Sequence, residues 1–191
     1  MMNTPLLSLE ERTTLLRLAR QSITLAAARK PLPPLNLEEY TPALREWGAS
    51  FVTLTEQGEL RGCIGALEPY QPLVEDVYEH AAAAAMEDYR FPQVRPSEVP
   101  HIQIEISRLT TPMPLDYDSP GNLPGLLRPG VDGVVLRDAF RRATFLPQVW
   151  EKIPRPEDFL SHLCLKMGAS ADTWKHRPLT VLVYQVEEFH E

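Results

Sequence analysis

The chain carries two cysteines, Cys63 and Cys164, and their settings differ. Cys63 stands in the run Leu60-Arg61-Gly62-Cys63-Ile64-Gly65. Side chains alternate along an extended segment, so Arg61 and Cys63 are expected on one side of it. A guanidinium beside sulfur favours the thiolate, the nucleophilic form. Gly62 and Gly65 remove side chains on the flanks, so a ligand or another backbone can come close. One reading is a reactive thiol beside an anion site, with Cys63 catalytic and Arg61, Gly62 and Gly65 binding the ligand. The other is a buried structural cysteine at a tight bend, with Arg61 on the surface. Free cysteine is among the most buried residue types, which favours the second reading.

Further candidates lie downstream. Glu105 follows two isoleucines at alternating positions, so its carboxylate is expected on the polar face of a strand. There it is either a general base near the thiol or a solvated, ion-paired group. His80 sits on an alanine-rich stretch after the cysteine. It would form a nucleophile–base pair with Cys63 if the two touched, and is otherwise a structurally bonded helix residue. Asp88-Tyr89-Arg90-Phe91-Pro92 ends that stretch; Phe91 reads as a core plug and Arg90 as a candidate ligand contact. The segment from Arg141 to Trp150 is dense in groups that bind anions and flat ligands, with Arg142, Thr144 and Gln148 as candidates. Its alternative is an exposed basic hairpin tip leading into a buried Phe145 and Trp150. Cys164 and Lys166 read as structural, near a helix end where a cation suits the dipole.

Composition narrows the function classes. With 191 residues, 43% of them hydrophobic, the chain can bury a sizeable core. Its net charge of −7 and its one dense basic pair, Arg141-Arg142, disfavour nucleic acid as the main partner. No apolar run approaches the roughly 20 residues of a membrane helix. Residues 1–5 show no basic stretch leading into an apolar one, so no export signal is expected. The two cysteines lack metal-site spacing and read as free thiols of a reducing compartment, so a cytoplasmic location is expected. GxGxxG, P-loop, HExxH, GxSxG and EF-hand signatures are absent, and neither a cofactor nor a metal site is expected.

The elements that must position these residues follow from periodicity. Ser8 and Glu11 form a capping box that opens a helix, whose stripe of Leu15, Leu16, Ala19, Ile23, Ala26 and Ala27 runs to about Lys30. A short helix is expected over residues 41–48. Residues 50–54 and 59–65 read as a β-hairpin turning at Gln57-Gly58. A thin helix follows over 73–86, then a strand at 101–107 with Ile102, Ile104 and Ile106 facing the core. A second hairpin is expected over 133–137 and 142–146, a helix over 156–167 stopped by Gly168, and one last strand over 180–186. Hairpins mixed with helices favour an α+β fold, with a mainly antiparallel sheet flanked by helices.

Taken in order, Leu60 to Gly65, Arg90-Phe91-Pro92, Glu105-Ile106-Ser107, Pro129-Gly130-Val131-Asp132-Gly133, Ala143 to Glu151 and Leu163 to Gly168 closely resemble the AMMECR family. That family is named after a human chromosomal region linked to Alport syndrome and midface hypoplasia. The resemblance spans nearly the whole chain. It implies a single AMMECR-like domain over residues 8–190, with a larger and a smaller lobe and a cleft bearing the Arg-Gly-Cys-Ile-Gly motif. It also implies an intracellular location and, as partners, Memo-like and radical-SAM proteins. The family brings no settled activity. One departure is Asp138-Ala139-Phe140, where the family pattern leads one to expect a glycine or Asn-Gly at the hairpin tip. Two functions stay open: an enzyme or enzyme subunit using Cys63 and Glu105 on a small anionic substrate, or a non-catalytic ligand-binding or adaptor protein acting with a Memo-like partner.

Overall fold

The computed structural model describes residues 6–191; residues 1–5, on which the expectation of no export signal rests, lie outside the described residues. Two compact units form. One runs to Leu109 and regains Glu187–Glu191, and the other is Thr110–Val186.

The first unit opens with α1 (Leu9–Ala27). The expected capping box is present: Ser8 Oγ accepts from the Glu11 amide at 3.2 Å, and Glu11 Oε2 accepts from the Ser8 amide at 2.8 Å. Then come α2 (Pro42–Arg45), β1 (Trp47–Glu56), β2 (Glu59–Gly65), β3 (Gln71–Pro72), α3 (Leu73–Met86) and β4 (Ile102–Leu109). α2 is shorter than expected because Trp47 and Gly48 already pair with Pro72 and Gln71, which draws that stretch into the sheet. Gln57 and Gly58, at φ 53° and 84°, make the tight left-handed turn between β1 and β2.

The strands lie in the order β2-β1-β4, with the chain's last strand beyond β4. Val52, Leu54, Ile102, Ile104 and Ile106 are buried in one core with the stripes of α1 and α3. Alternation therefore turns Thr53 and Glu105 to the sheet's other face.

In the second unit, β5 (Met113–Pro114), α4 (Leu123–Leu126), β6 (Gly133–Asp138), β7 (Arg141–Phe145), α5 (Pro156–Lys166), α6 (Thr173–His176) and β8 (Thr180–Tyr184) follow in turn. Its sheet has the order β5-β8-β6-β7. Phe159 anchors the core, stacked on Trp150 at 3.7 Å and edge-on to Phe145 at 5.3 Å. The hairpin tip is Ala139-Phe140, with Ala139 held at φ 49°.

The single last strand expected over 180–186 is in fact two. β8 ends at Tyr184 in the second unit's sheet, and β9 (Val186–His190) joins β4 in the first. Between them Gln185 donates its amide to Thr110 Oγ1 and accepts from the Thr110 amide, both at 2.8 Å. This two-point tie at the chain's crossing is invisible to a periodicity argument, because Thr110 lies 75 residues away. The architecture is α+β, with helices and two sheets whose paired strands run antiparallel.

Candidate functional site

β2 is the outer strand of its sheet, so every second residue on it has an N–H and C=O that the sheet does not pair. Cys63 is such a residue. Its N–H donates to Asp88 Oδ2 at 2.9 Å, and Arg90 Nη2 approaches its carbonyl oxygen at 3.4 Å. Asp88, just past the end of α3, is buried. It also accepts from the Arg90 amide at 3.2 Å and from Arg90 Nε and Nη2 at 2.9 and 2.6 Å. Hydrogen bonds from Arg90, joined by the Cys63 amide, hold the Asp88 carboxyl far below the usual carboxylate range despite its burial. The cysteine backbone is thus clamped by a carboxylate and a guanidinium that also brace each other.

Register places the side chains. Thr53 lies opposite Cys63 on one side and opposite Glu105 on the other. Directly opposed residues share a face, so Cys63, Thr53 and Glu105 form a row across three strands. Thr53 Oγ1 donates to Cys63 Sγ at 3.3 Å. Cys63 and Glu105 stand two strand spacings apart, about 10 Å between backbones. That separation exceeds direct proton transfer, which needs about 2.6–3.2 Å. Glu105 can serve chemistry at sulfur only through a molecule lying over Thr53.

Arg61 does not stand where alternation puts it. Leu54 opposes Gly62 while Thr55 opposes Leu60, so Arg61 is the extra residue of a β-bulge. Its guanidinium donates from Nε and Nη2 to Glu98 Oε1, both at 3.0 Å, and from Nη1 to the Pro92 carbonyl at 2.7 Å. The guanidinium beside Cys63 belongs to Arg90, and it meets the cysteine at the backbone.

The space beside both motif glycines is filled by the protein itself. A Cβ on Gly62 would lie 2.1 Å from the Ala84 carbonyl oxygen of α3, and one on Gly65 would lie 2.3 Å from the Ser50 oxygen. Of the two ways to use these glycines, backbone approach is the one observed.

His80 forms no dyad with Cys63. Its Nε2 is 3.2 Å from the Tyr70 hydroxyl and its Nδ1 3.2 Å from Asp76 Oδ2, which accepts from Ser50 Oγ at 2.6 Å. Ser50 shares the helix-facing side of β1 with Val52 and Leu54. The thiol shares the other side with Thr53, so the sheet lies between His80 and the sulfur.

Arg142, Thr144 and Gln148 belong to the second unit. Thr144 Oγ1 is 3.1 Å from the Tyr184 hydroxyl, whose proton burial holds more tightly. Lys166 donates to the Thr144 carbonyl at 2.9 Å and lies 5.0 Å from the centre of the Phe145 ring. Arg142 is half-buried on β7, and Gln148 is exposed in the turn Pro147–Glu151. Cys164 is fully buried, and desolvation pushes its thiol up. Among the described residues no group of three or more His, Cys, Asp or Glu could hold a metal ion.

The sequence reading missed Asp88, Thr53 and Glu98. Asp88 left a faint signal, an acidic residue two before Arg90 at a helix end. Thr53 left none, since only register brings it to Cys63.

Comparison with known proteins gives a consistent picture. A family model described as AMMECR1 matches residues 16–189. A protein of Thermofilum pendens is 41% identical over 97% of this chain and 92% of its own length. One from Methanothermobacter thermautotrophicus is 38% identical over 97% and 96%. The crystal structure of the uncharacterised protein PH0010 from Pyrococcus horikoshii superposes with a TM-score of 0.76 at 32% identity, covering 95% of this chain and 92% of that one.

Proposed function

The chain belongs to the AMMECR1 family, and from that premise we propose that it is an enzyme, or a subunit of one, whose working group is the Cys63 thiol. The substrate is a small anion that lies across Thr53. One end meets the Cys63 thiol, the other meets Glu105 as proton acceptor or donor, and the half-exposed guanidinium of Arg90 holds the negative charge. One observation carries this reading: the row Cys63–Thr53–Glu105 sets a nucleophile, a hydroxyl and a carboxylate on the sheet face opposite the helices. The clamp of Asp88 and Arg90 supports it, because a group fixed at both its N–H and C=O keeps its position through a reaction. A thiol that must stay reduced fits the cytoplasm.

The test is differential alkylation with iodoacetamide at neutral pH. Cys63 reacts faster than Cys164, which has no exposed surface, and a panel of small carboxylates and phosphates contains at least one that protects it. Equal and slow labelling of both thiols in the folded protein removes the reading.

A second reading has its own supporting observation. Tyr89, between the two clamp residues, is 95% exposed. An aromatic displayed on a rigid loop suits recognition of a protein, so the chain would act as an adaptor or ligand-binding subunit beside a Memo-like partner or a radical-SAM protein. Full complementation of a deletion by Cys63→Ser, with failure by Tyr89→Ala, selects this reading over the first.

A further inference from the structure

The bulge at Arg61 has a chemical consequence. Arg61 lines a depression of about 320 Å³ with Pro92, Gln93, Arg95, Ser97 and Glu98. That volume is at the lower end of metabolite sites, which run from about 300 Å³ upward. Arg61 is fixed before any ligand arrives, by Glu98 and by the Pro92 carbonyl. These bonds use one N–H at each guanidinium nitrogen and leave two to spare. Glu98 balances the charge of Arg61 and also accepts from the Arg95 amide at 2.7 Å. The Arg95 guanidinium makes no hydrogen bond or ion pair among the described residues. The depression therefore holds two arginine cations against one carboxylate, Glu98, whose charged form both favour, and the Ser97 hydroxyl.

We propose that this depression is a binding site for the phosphate group of a small metabolite. Its side-chain donors come from three chain positions, Arg61, Arg95 and Ser97, and arginine recognises phosphate through paired N–H groups. Arg95 supplies the net positive charge and Arg61 the pre-set geometry. The Cys63 backbone is two residues along the same strand, about 7 Å from that of Arg61, so a phosphorylated substrate extending round the strand's edge would bring its other end to the thiol. That last link rests on the enzymatic reading of Cys63; the phosphate site itself does not.

The experiment is a titration of the labelled full-length protein with inorganic phosphate, followed by amide NMR at constant ionic strength, with malonate as the carboxylate control. Wild type and Cys63→Ser show the same saturable shifts at Gln93, Arg95 and Ser97. Arg95→Ala binds about ten-fold more weakly, as expected for one lost bond to a charged group. Absence of saturable shifts, or equal affinity in Arg95→Ala, overturns the proposal. Binding of malonate but not phosphate overturns the choice of ligand. If phosphate binds as expected and Cys63 is inert, the phosphate site stands and the thiol reading falls.

Discussion

Replacing Asp88 gives the sharpest test of the clamp around Cys63. Asp88→Ala deletes an acceptor that serves four donors: the Cys63 amide, the Arg90 amide and two guanidinium N–H groups. The Cys63 amide then loses a bond to a charged group, at a cost of about 1.5–3 kcal/mol. The Arg90 side chain is 46% exposed, so its pairing is discounted to the surface level of about 0.5–1 kcal/mol. The expected loss is about 2–4 kcal/mol. Asp88→Asn keeps one acceptor oxygen but no charge, and loses about half as much.

The pH dependence identifies the cause. Asp88 has its carboxyl depressed in the folded state, so its contribution is complete above the unfolded value of about 4 and falls away as pH drops below that. Urea unfolding by circular dichroism at pH 7 and at pH 3 therefore gives a wild-type minus Asp88→Asn difference that shrinks in acid. A loss below about 1 kcal/mol for Asp88→Ala, or a difference that does not change with pH, refutes the clamp.

Other outcomes follow from the packing. Gly62→Ala drives a methyl into the Ala84 carbonyl; because backbone must move, the cost is at or above the upper end of the usual overpacking range, about 3 kcal/mol, read as a lower urea midpoint. Ser8→Ala removes one half of the capping box and costs about 1 kcal/mol in the same assay. Glu187→Ala removes a carboxylate that pairs with buried Arg108, 3.1 Å away, and that accepts from the Leu7 amide. It costs at least about 1.5 kcal/mol, the lower figure for a hydrogen bond to a charged group, and faster hydrogen exchange is expected along β9.

Much of the scaffold could be read from local pattern. The capping box at Ser8, the alternation of Ile102, Ile104 and Ile106, and the Gln57-Gly58 turn each depend on residues within a few positions of one another. Local physics therefore specifies them without reference to distant parts of the chain. The motif around Cys63 was legible in the same way as a marker of family, and its glycines as positions of close approach.

What filled that close approach was a tertiary question. Ala84 of α3 and the backbone of β1 occupy it, and neither is near the glycines in sequence. The same holds for the thiol's neighbours. A single extra residue at Arg61 breaks the two-residue alternation, so the side expected from sequence fails for that arginine. Its guanidinium goes to Glu98 and leaves Arg90 at the cysteine. Register, a pairing between strands distant along the chain, is what sets Thr53 and Glu105 in line with Cys63 and leaves His80 behind the sheet. Residue order alone states which groups the chain has and which local elements carry them. Which of those groups meet is set by packing, because strand register and bulge position depend on the whole core, to which each residue contributes only part.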